Sequence, residues 1–303
     1  MFKTLMHFAG VLAIACTLPA CSIKEQRTTC PSQINVSFTG PEIRTPAGEL
    51  RTVRTKATPA DSAGVSGIAF AVIDSSGKIV YGTRQTAGSE GFGAVSFELT
   101  EGTYIFAAEA HMHSDLASIS VSGGKAIATI EGGTVYDTFA ASKQVTVTAG
   151  EDVDLQMTLS RVSAQLSLET KDNQPEDVKK LQIFIGDTLK TAYTSFSIDL
   201  ATGTMDGFGT AGHLERGWTR GTSDAGKPTT QSCALLLAAE EQSLPVKIVA
   251  LDSGGEVLRS HIIPSVPFKQ NCKTTITGEF YSTPAASSFQ FDTEWGTPID
   301  GGW

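Results

Sequence analysis

The sequence predicts an all-β protein, two β-sandwich domains in tandem with very little helix, and three observations carry that reading. Apolar and polar residues alternate along many short runs, as half-buried strands require, while a helical period is almost absent. The runs are divided by turns rich in Gly, Asp and Ser. One hairpin grammar occurs in each half. Ile68-Ala69-Phe70-Ala71-Val72-Ile73 runs into Asp74-Ser75-Ser76-Gly77 and out through Lys78-Ile79-Val80-Tyr81; Val246-Lys247-Ile248-Val249-Ala250-Leu251 runs into Asp252-Ser253-Gly254-Gly255 and out through Glu256-Val257-Leu258. Asp caps such a turn with its side chain and Gly accepts the positive φ. The echo supports two related sandwiches joined near Ser160.

The N-terminal element is a targeting segment. After the single cation Lys3, an uncharged apolar stretch from Met6 to Leu18 is too short to cross a bilayer as a helix. It closes on Leu18-Pro19-Ala20-Cys21, a small residue before a cysteine, which reads as a bacterial lipoprotein signal. Cleavage then falls between Ala20 and Cys21, and acyl chains are placed on the Cys21 thiol and its new amine. At roughly 0.8 kcal/mol per buried methylene, three such chains hold a protein to a membrane almost permanently. Leu12-Ala13-Ile14-Ala15-Cys16 offers a competing site but leaves an apolar mature start, whereas Cys21 is followed by the polar tether Ser22-Ile23-Lys24-Glu25-Gln26-Arg27. A plain secretory signal cut near Ala20 is the remaining alternative. The expected divisions are 1–20 signal, 21–33 lipidated tether, 34–160 N-terminal sandwich, and 161–303 C-terminal sandwich with a tail.

Ile34, Val36 and Phe38 alternate with Asn35 and Ser37 and predict the first strand. After the 68–81 hairpin, strands are expected over 94–99, 104–110, 119–121, 126–130, 143–147 and 153–159. The second domain's strands are expected over 162–169, 181–185, 194–200, 233–238, 246–251, 257–263, 274–281 and 288–291. Pro175 to Lys180 has Pro early and acidic residues ahead of lysines, which predicts one or two helical turns. The Gly-rich stretch from Gly203 to Lys227 predicts a long loop over one end of the second domain.

Composition excludes several function classes. Removing residues 1–20 leaves 283 residues with 22 Lys and Arg against 32 Asp and Glu, a net charge of −10. No basic stripe is present to neutralise phosphates, so nucleic acid is not an expected partner. The region from Arg44 to Lys56, with Arg44, Arg51 and Arg54, reads as a solvated segment that offers three arginine sites to a protease. With Cys21 acylated, Cys30, Cys233 and Cys272 remain; their spacings match no metal site, and Cys233 with Cys272 is the preferred disulfide, independent thiols being the alternative. No HExxH, GxSxG or Walker sequence occurs, so neither catalytic residues nor a cofactor are expected. His111-Met112-His113 with Asp115 supplies too few ligands for a metal and reads as a strand-end pair. Trp218, Trp295 and Trp303 are scattered and read as packing or surface residues rather than sugar platforms. Asp61-Ser62-Ala63 and Asp187-Thr188-Leu189 match a short O-glycosylation acceptor pattern at about the frequency chance provides.

Stretches at both ends of the chain carry a family resemblance, and the Ile68–Tyr81 hairpin and the Gly102–Ala108 strand look like segments of the same family's first domain. Cys21-Ser22-Ile23-Lys24-Glu25-Gln26-Arg27-Thr28-Thr29-Cys30-Pro31 and the strand after it resemble the mature start of anchor-type fimbrial subunits of Bacteroidales. Val266-Pro267-Phe268-Lys269-Gln270-Asn271-Cys272-Lys273-Thr274-Thr275-Ile276-Thr277-Gly278 resembles a run common to fimbrillin-like proteins, with Cys272 where an aromatic is more usual. That run leads into an acidic-aromatic tail, here Phe289-Gln290-Phe291-Asp292-Thr293-Glu294-Trp295. The resemblance implies two transthyretin-like β-sandwich domains, assembly by strand exchange into a type V pilus, and a lipid-held outer-membrane location.

The function expected is therefore a non-enzymatic, lipid-anchored pilus subunit, the basal anchor, whose partners are pilin subunits reached by donor-strand exchange and the outer membrane reached through lipid. A stalk or tip fimbrillin of the same superfamily, cut after Arg44, Arg51 or Arg54, is one alternative; a surface lipoprotein binding a host or bacterial glycan is the other. Residues 288–295, with Phe289 and Phe291 on one face and a hinge at Pro284-Ala285-Ala286, are the expected donor strand. Completion of the chain's own sheet is the competing reading of the same segment.

Overall fold

Alternation sets the first strand. In β1 (Ser32–Thr39) Ile34, Val36 and Phe38 are buried while Asn35 and Ser37 are exposed. The structure, a computed structural model, describes residues 31–40, 64–112, 117–205, 212–282 and 290–292. Within them it is almost wholly strand; the one helical element is a single 3-10 turn at Thr222–Asp224, and no helix is long and apolar enough to cross a membrane.

The first sandwich also contains β2 (Gly67–Asp74), β3 (Ile79–Thr86), β4 (Ala94–Leu99), β5 (Gly102–His111), β8 (Thr138–Val147) and β9 (Val153–Thr158). Its smaller sheet has the order β4-β1-β9; its larger one runs β8-β5-β2-β3, with β10 (Ser160–Arg161) added beyond β8. The second sandwich is built from β11 (Ser163–Asn173), β12 (Lys180–Gly186), β15 (His213–Thr219), β16 (Pro228–Leu236), β17 (Glu241–Leu251), β18 (Val257–Lys269) and β19 (Lys273–Gly278). Its sheets have the orders β16-β11-β19, with β20 (Gln290–Asp292) on the β19 edge, and β15-β12-β17-β18. Strand for strand the two layouts are the same. In each, the opening strand is flanked on both sides within its sheet, antiparallel to the fourth strand and parallel to the last.

The 68–81 and 246–258 hairpins do share their turn, atom by atom. Asp74 Oδ1 accepts from the N–H groups of Ser76 and Lys78 at 2.9 and 3.0 Å, and Asp252 Oδ1 accepts from Gly254 and Glu256 at 2.8 Å each. Gly77 and Gly255 take φ of 83° and 87°. Yet β2–β3 occupies the second and third positions of its sandwich, and β17–β18 the fifth and sixth. The echo is a local turn device; the relation between the sandwiches lies in their strand order.

Two insertions meet between the sandwiches. β6 (Ser118–Ser122) and β7 (Lys125–Glu131) come from the first half, β13 (Ser195–Asp199) and β14 (Thr204–Met205) from the second, and they form one sheet, β14-β13-β7-β6. It covers the outer face of the larger first sheet. Ile68, Phe70 and Val72 of β2 therefore face one core while Ala69 and Ile73 face another, so this strand is buried on both sides. The second core is continuous from Ala107 and Ala128 through Phe196 and Ile198 to Leu166 and Leu181. Gly203, at φ 68°, closes the insertion against the linker, where a Cβ would come within 2.7 Å of Val162.

The junction is a buried ion pair. Arg161 Nε donates to Asp137 Oδ1 at 2.8 Å and Ser163 Oγ donates to the same oxygen at 2.7 Å; Arg161 Nη1 reaches Asn271 Oδ1 at 3.3 Å, and the guanidinium lies over the Phe139 ring. One arginine thus ties the start of β8 to the β18–β19 turn.

Two elements differ from expectation. Residues 175–180 form no helix. A six-residue segment is too short to nucleate one, Val178 is buried, and the N–H of Lys179 donates to Leu251 O at 2.8 Å instead. Residues 203–227 are less loop than expected, because β15 pairs with β12 from Lys180↔Thr219 to Gly186↔His213. As an edge strand with Gly217 and the charged Glu215 and Arg216, it carries little apolar alternation.

Removing one partner of the junction leaves the other charge buried and uncompensated. Arg161→Ala should lower stability by about 3–5 kcal/mol in urea titrations. Lys269→Ala, which breaks the exposed pair with Glu241, should cost only ~0–1 kcal/mol.

Candidate assembly strands

β1 is held on both sides. It pairs antiparallel with β4 from Ser32↔Leu99 to Ser37↔Ala94, and parallel with β9 from Ile34↔Val153 to Thr39↔Thr158. Side chains reinforce the ladder: Ser32 Oγ donates to Thr148 O at 2.8 Å, Asn35 Nδ2 to Asp154 Oδ1 at 2.9 Å, and Ser96 Oγ to Asn35 Oδ1 at 2.6 Å. Inside, Phe38 meets Phe70 edge to face at 5.4 Å. Burial of Ile34, Val36 and Phe38 contributes roughly 5–9 kcal/mol at about 1.5–3 kcal/mol each. Without β1 the first sandwich would present two rows of unpaired backbone groups beside an open apolar groove, which is the geometry an extended strand from elsewhere can fill.

The C-terminal end is built differently. β20 adds three residues to the β19 edge, with Thr275↔Asp292, Ile276↔Phe291 and Thr277↔Gln290 opposed. Before it, residues 280–282 are gathered by one carboxylate on β11. Asp172 Oδ1 accepts from the N–H of Phe280 at 2.9 Å, and Oδ2 from Tyr281 at 2.5 Å and Ser282 at 2.6 Å. Burial alone would raise this carboxyl; the three N–H groups and the Ser282 hydroxyl outweigh it and hold Asp172 below the usual range. Phe280 and Tyr281 are buried, and the Tyr281 hydroxyl shares a 2.7 Å hydrogen bond with Thr229 Oγ1. Nothing in the sequence marked Asp172, because its partners are backbone groups more than a hundred residues away.

Ala20, Cys21, Cys16 and Cys30 lie outside the described residues, as do Arg44, Arg51, Arg54, Pro284, Ala285, Ala286, Trp295 and Trp303. The Cys233–Cys272 disulfide is not formed; both are free thiols. Cys233 on β16 lies opposite Leu166 on one side of β11, and Cys272 immediately precedes β19 on the other side, which puts the two at least about 10 Å apart at ~4.8 Å per strand step, beyond the ~7 Å Cα limit of a disulfide. Burial pushes the Cys233 thiol up to about 12, against a smaller opposing pull from Arg216. Burial also raises Cys272, which lines a polar crevice of about 650 Å³ between the sandwiches together with Lys143, Gln156 and Arg161.

His111 Nδ1 sits 2.8 Å from Glu109 Oε1, both side chains buried; burial pushes the Glu109 carboxyl up while the His111 hydrogen bond opposes it. His113 and Asp115 lie outside the described residues, among which no three His, Cys, Asp or Glu side chains are grouped to hold a metal. Trp218 is half-buried in β15 and packs on the second core. Asp187-Thr188-Leu189 forms an exposed turn in which Asp187 Oδ1 accepts from Leu189 N at 3.0 Å.

Residues 100–303, about two thirds of the chain, match a profile described as a family of unknown function (DUF6562). No curated protein matches. Solved structures with the same fold include a candidate adhesin from Bacteroides ovatus, with TM-score 0.53, 13% identity, and coverage of 89% of this chain and 96% of that one. The fimbrial anchor protein Mfa2 from Porphyromonas gingivalis gives 0.51 and 12%, covering 89% and 99%. A candidate adhesin from Bacteroides thetaiotaomicron gives 0.50 and 11%, also covering 89% and 99%. At such identities the likeness is one of fold.

Three outcomes follow from this geometry. Ile34→Ala should cost about 2–5 kcal/mol in denaturant titrations, whereas Ser37→Ala, on the exposed face of the same strand, should stay within ~0.5 kcal/mol. Iodoacetamide at pH 8 followed by peptide mapping should modify Cys272 in the native protein and Cys233 only after denaturant is added. A carboxyl held below its unfolded value near 3.9 stabilises the fold fully above that pH, and the contribution is lost as pH falls through the lower folded value. Asp172→Asn should therefore flatten the loss of stability as pH falls below about 4 in acid titrations.

Proposed function

We propose, from the premise that the chain belongs to the family of unknown function DUF6562, that it is a non-enzymatic, lipid-anchored subunit of a surface fimbria and serves as the basal anchor. The observation that carries this reading is β1. The strand fills the centre of its own sandwich, and only ten residues separate Cys21 from its first position at Ser32. A lipid on Cys21 would then be joined through a short tether to a strand that cannot leave without opening the core. A fold shared with a protein described as a fimbrial anchor supports the same role. With its acceptor groove filled from within, such a subunit would engage the neighbouring pilin through its C-terminal segment and end the polymer at the outer membrane.

A stalk or tip role is the second reading. It is favoured by Arg44, Arg51 and Arg54, which lie in the connection between β1 and β2, where a cut would separate β1 from the rest of the chain. The N-terminus of protein taken from cells separates the two. An acylated Cys21 supports the anchor, and a start at Thr45, Thr52 or Thr55 supports the stalk.

Cys21→Ala should abolish acyl labelling and leave the protein uncleaved or soluble. Labelling that survived in Cys21→Ala but disappeared in Cys16→Ala would move the lipid to Cys16. Deleting residues 288–303 should release pili into the medium while the lipoprotein stays folded and membrane-bound; pili that remained cell-attached would count against donation by this segment.

A further inference from the structure

We propose that the C-terminal segment is divided at Ser282: Asp172 clasps residues 280–282 to β11, and only the chain beyond Ser282 exchanges between its own sheet and that of a neighbouring subunit. The exchange rests on the function proposed above, whereas the boundary at Ser282 does not.

The two sides of the boundary are held by different means. Phe280, Tyr281 and Ser282 present three consecutive N–H groups to one ionised acceptor, and charge-assisted bonds of this kind are about twice as strong as neutral ones. Two further strands and the residue that follows β15 contribute. Thr229 on β16 holds the Tyr281 hydroxyl, and its own N–H donates to Thr170 Oγ1 of β11 at 2.8 Å. Arg220, just past β15, links Thr229 to Gln174, donating to Thr229 Oγ1 at 3.5 Å and to Gln174 Oε1 at 2.7 Å. Arg259 on β18 donates to Tyr281 O at 3.3 Å. Phe280 and Tyr281 are 6% and 4% exposed, so pulling them out would open the end of the second sandwich.

β20 is attached by its backbone ladder. Its ladder is three residues long, on one side only, at a sheet edge. The core strands β11 and β19 are paired with each other without it, from Gln165↔Lys273 to Thr170↔Gly278. Its departure would return β19 to the edge position that β9, the corresponding strand of the first sandwich, already occupies. Asp172 is thus a positioning residue: it fixes the point from which a donated strand departs and keeps the second sandwich closed while the strand is away.

Hydrogen exchange on the intact lipoprotein in detergent tests the boundary. The amides of residues 280–282 should exchange at least ~100-fold more slowly than those of 290–292. Asp172→Asn should accelerate 280–282 by at least ~10-fold and leave the β11 amides from Ala164 to Leu168 unchanged. Equal exchange of 280–282 and 290–292 in the unaltered protein would overturn the proposal. As a second measurement, a chain ending at Ser282 should keep the urea midpoint of the full chain, and one ending at Gly278 should lose it; equal losses would also overturn it. If the chain ending at Ser282 stays folded and pili nonetheless remain cell-attached, donation by this segment fails while the boundary stands.

Discussion

The pairing of the first strand with the last governs this fold. β1 lies between β4 and β9, and its partner on the parallel side begins more than a hundred residues later. A parallel pair cannot be closed by a hairpin, so the whole sandwich must be threaded between the two strands. The loop entropy of that closure is met before the burial of Ile34, Val36 and Phe38 offsets it. The strands β3, β2, β5 and β8 pair antiparallel with one another in a single sheet; the seam at β1 decides whether the sandwich is closed. The second sandwich repeats the constraint with β11 and β19.

Two closed sandwiches in one chain would swing about their linker unless something resisted. Here the resistance is an insertion from each half, meeting as β7 and β13 from Ser195↔Glu131 to Asp199↔Ile127. The contact requires the first sandwich to accept a covering layer, and the alanines at 69, 107 and 140 let a sheet approach where larger side chains would hold it off. Arg161 completes the arrangement at the linker, its charge matched by Asp137 in a site where both side chains are largely buried.

Much of this was legible in the residues, and the limits have physical causes. The alternation at 34–38, the Asp-capped turns and the apolar run at 68–73 marked strands because each is decided by neighbours in sequence. The run at 68–73 also held a clue to the covering layer, since a strand apolar at every position has no solvent face. The two hairpins implied related sandwiches although they sit at different places in the two layouts, because a turn is chosen by four residues and a strand's place by the whole sheet. β15 was hidden by its edge position, and the helix expected at 175–180 gave way once Val178 was needed in the core. Asp172, the Arg161–Asp137 pair and the separation of Cys233 from Cys272 are tertiary facts. Each depends on which strands become neighbours, and strand patterning is silent on partners.

The two ends of the chain differ in how they can be removed. β1 has ladders on both edges and three side chains in the core, so its loss costs a sandwich. β20 has one ladder of three residues at an edge, and the sheet beneath it is already closed by the pairing of β11 with β19. A central strand is therefore a fixed attachment, and an edge strand can change partners while its domain stays folded. Asp172 stands at the boundary of the second kind of attachment, returning any pull on the C-terminal segment to β11 and, through Ser163, Asp137 and Arg161, to the first sandwich.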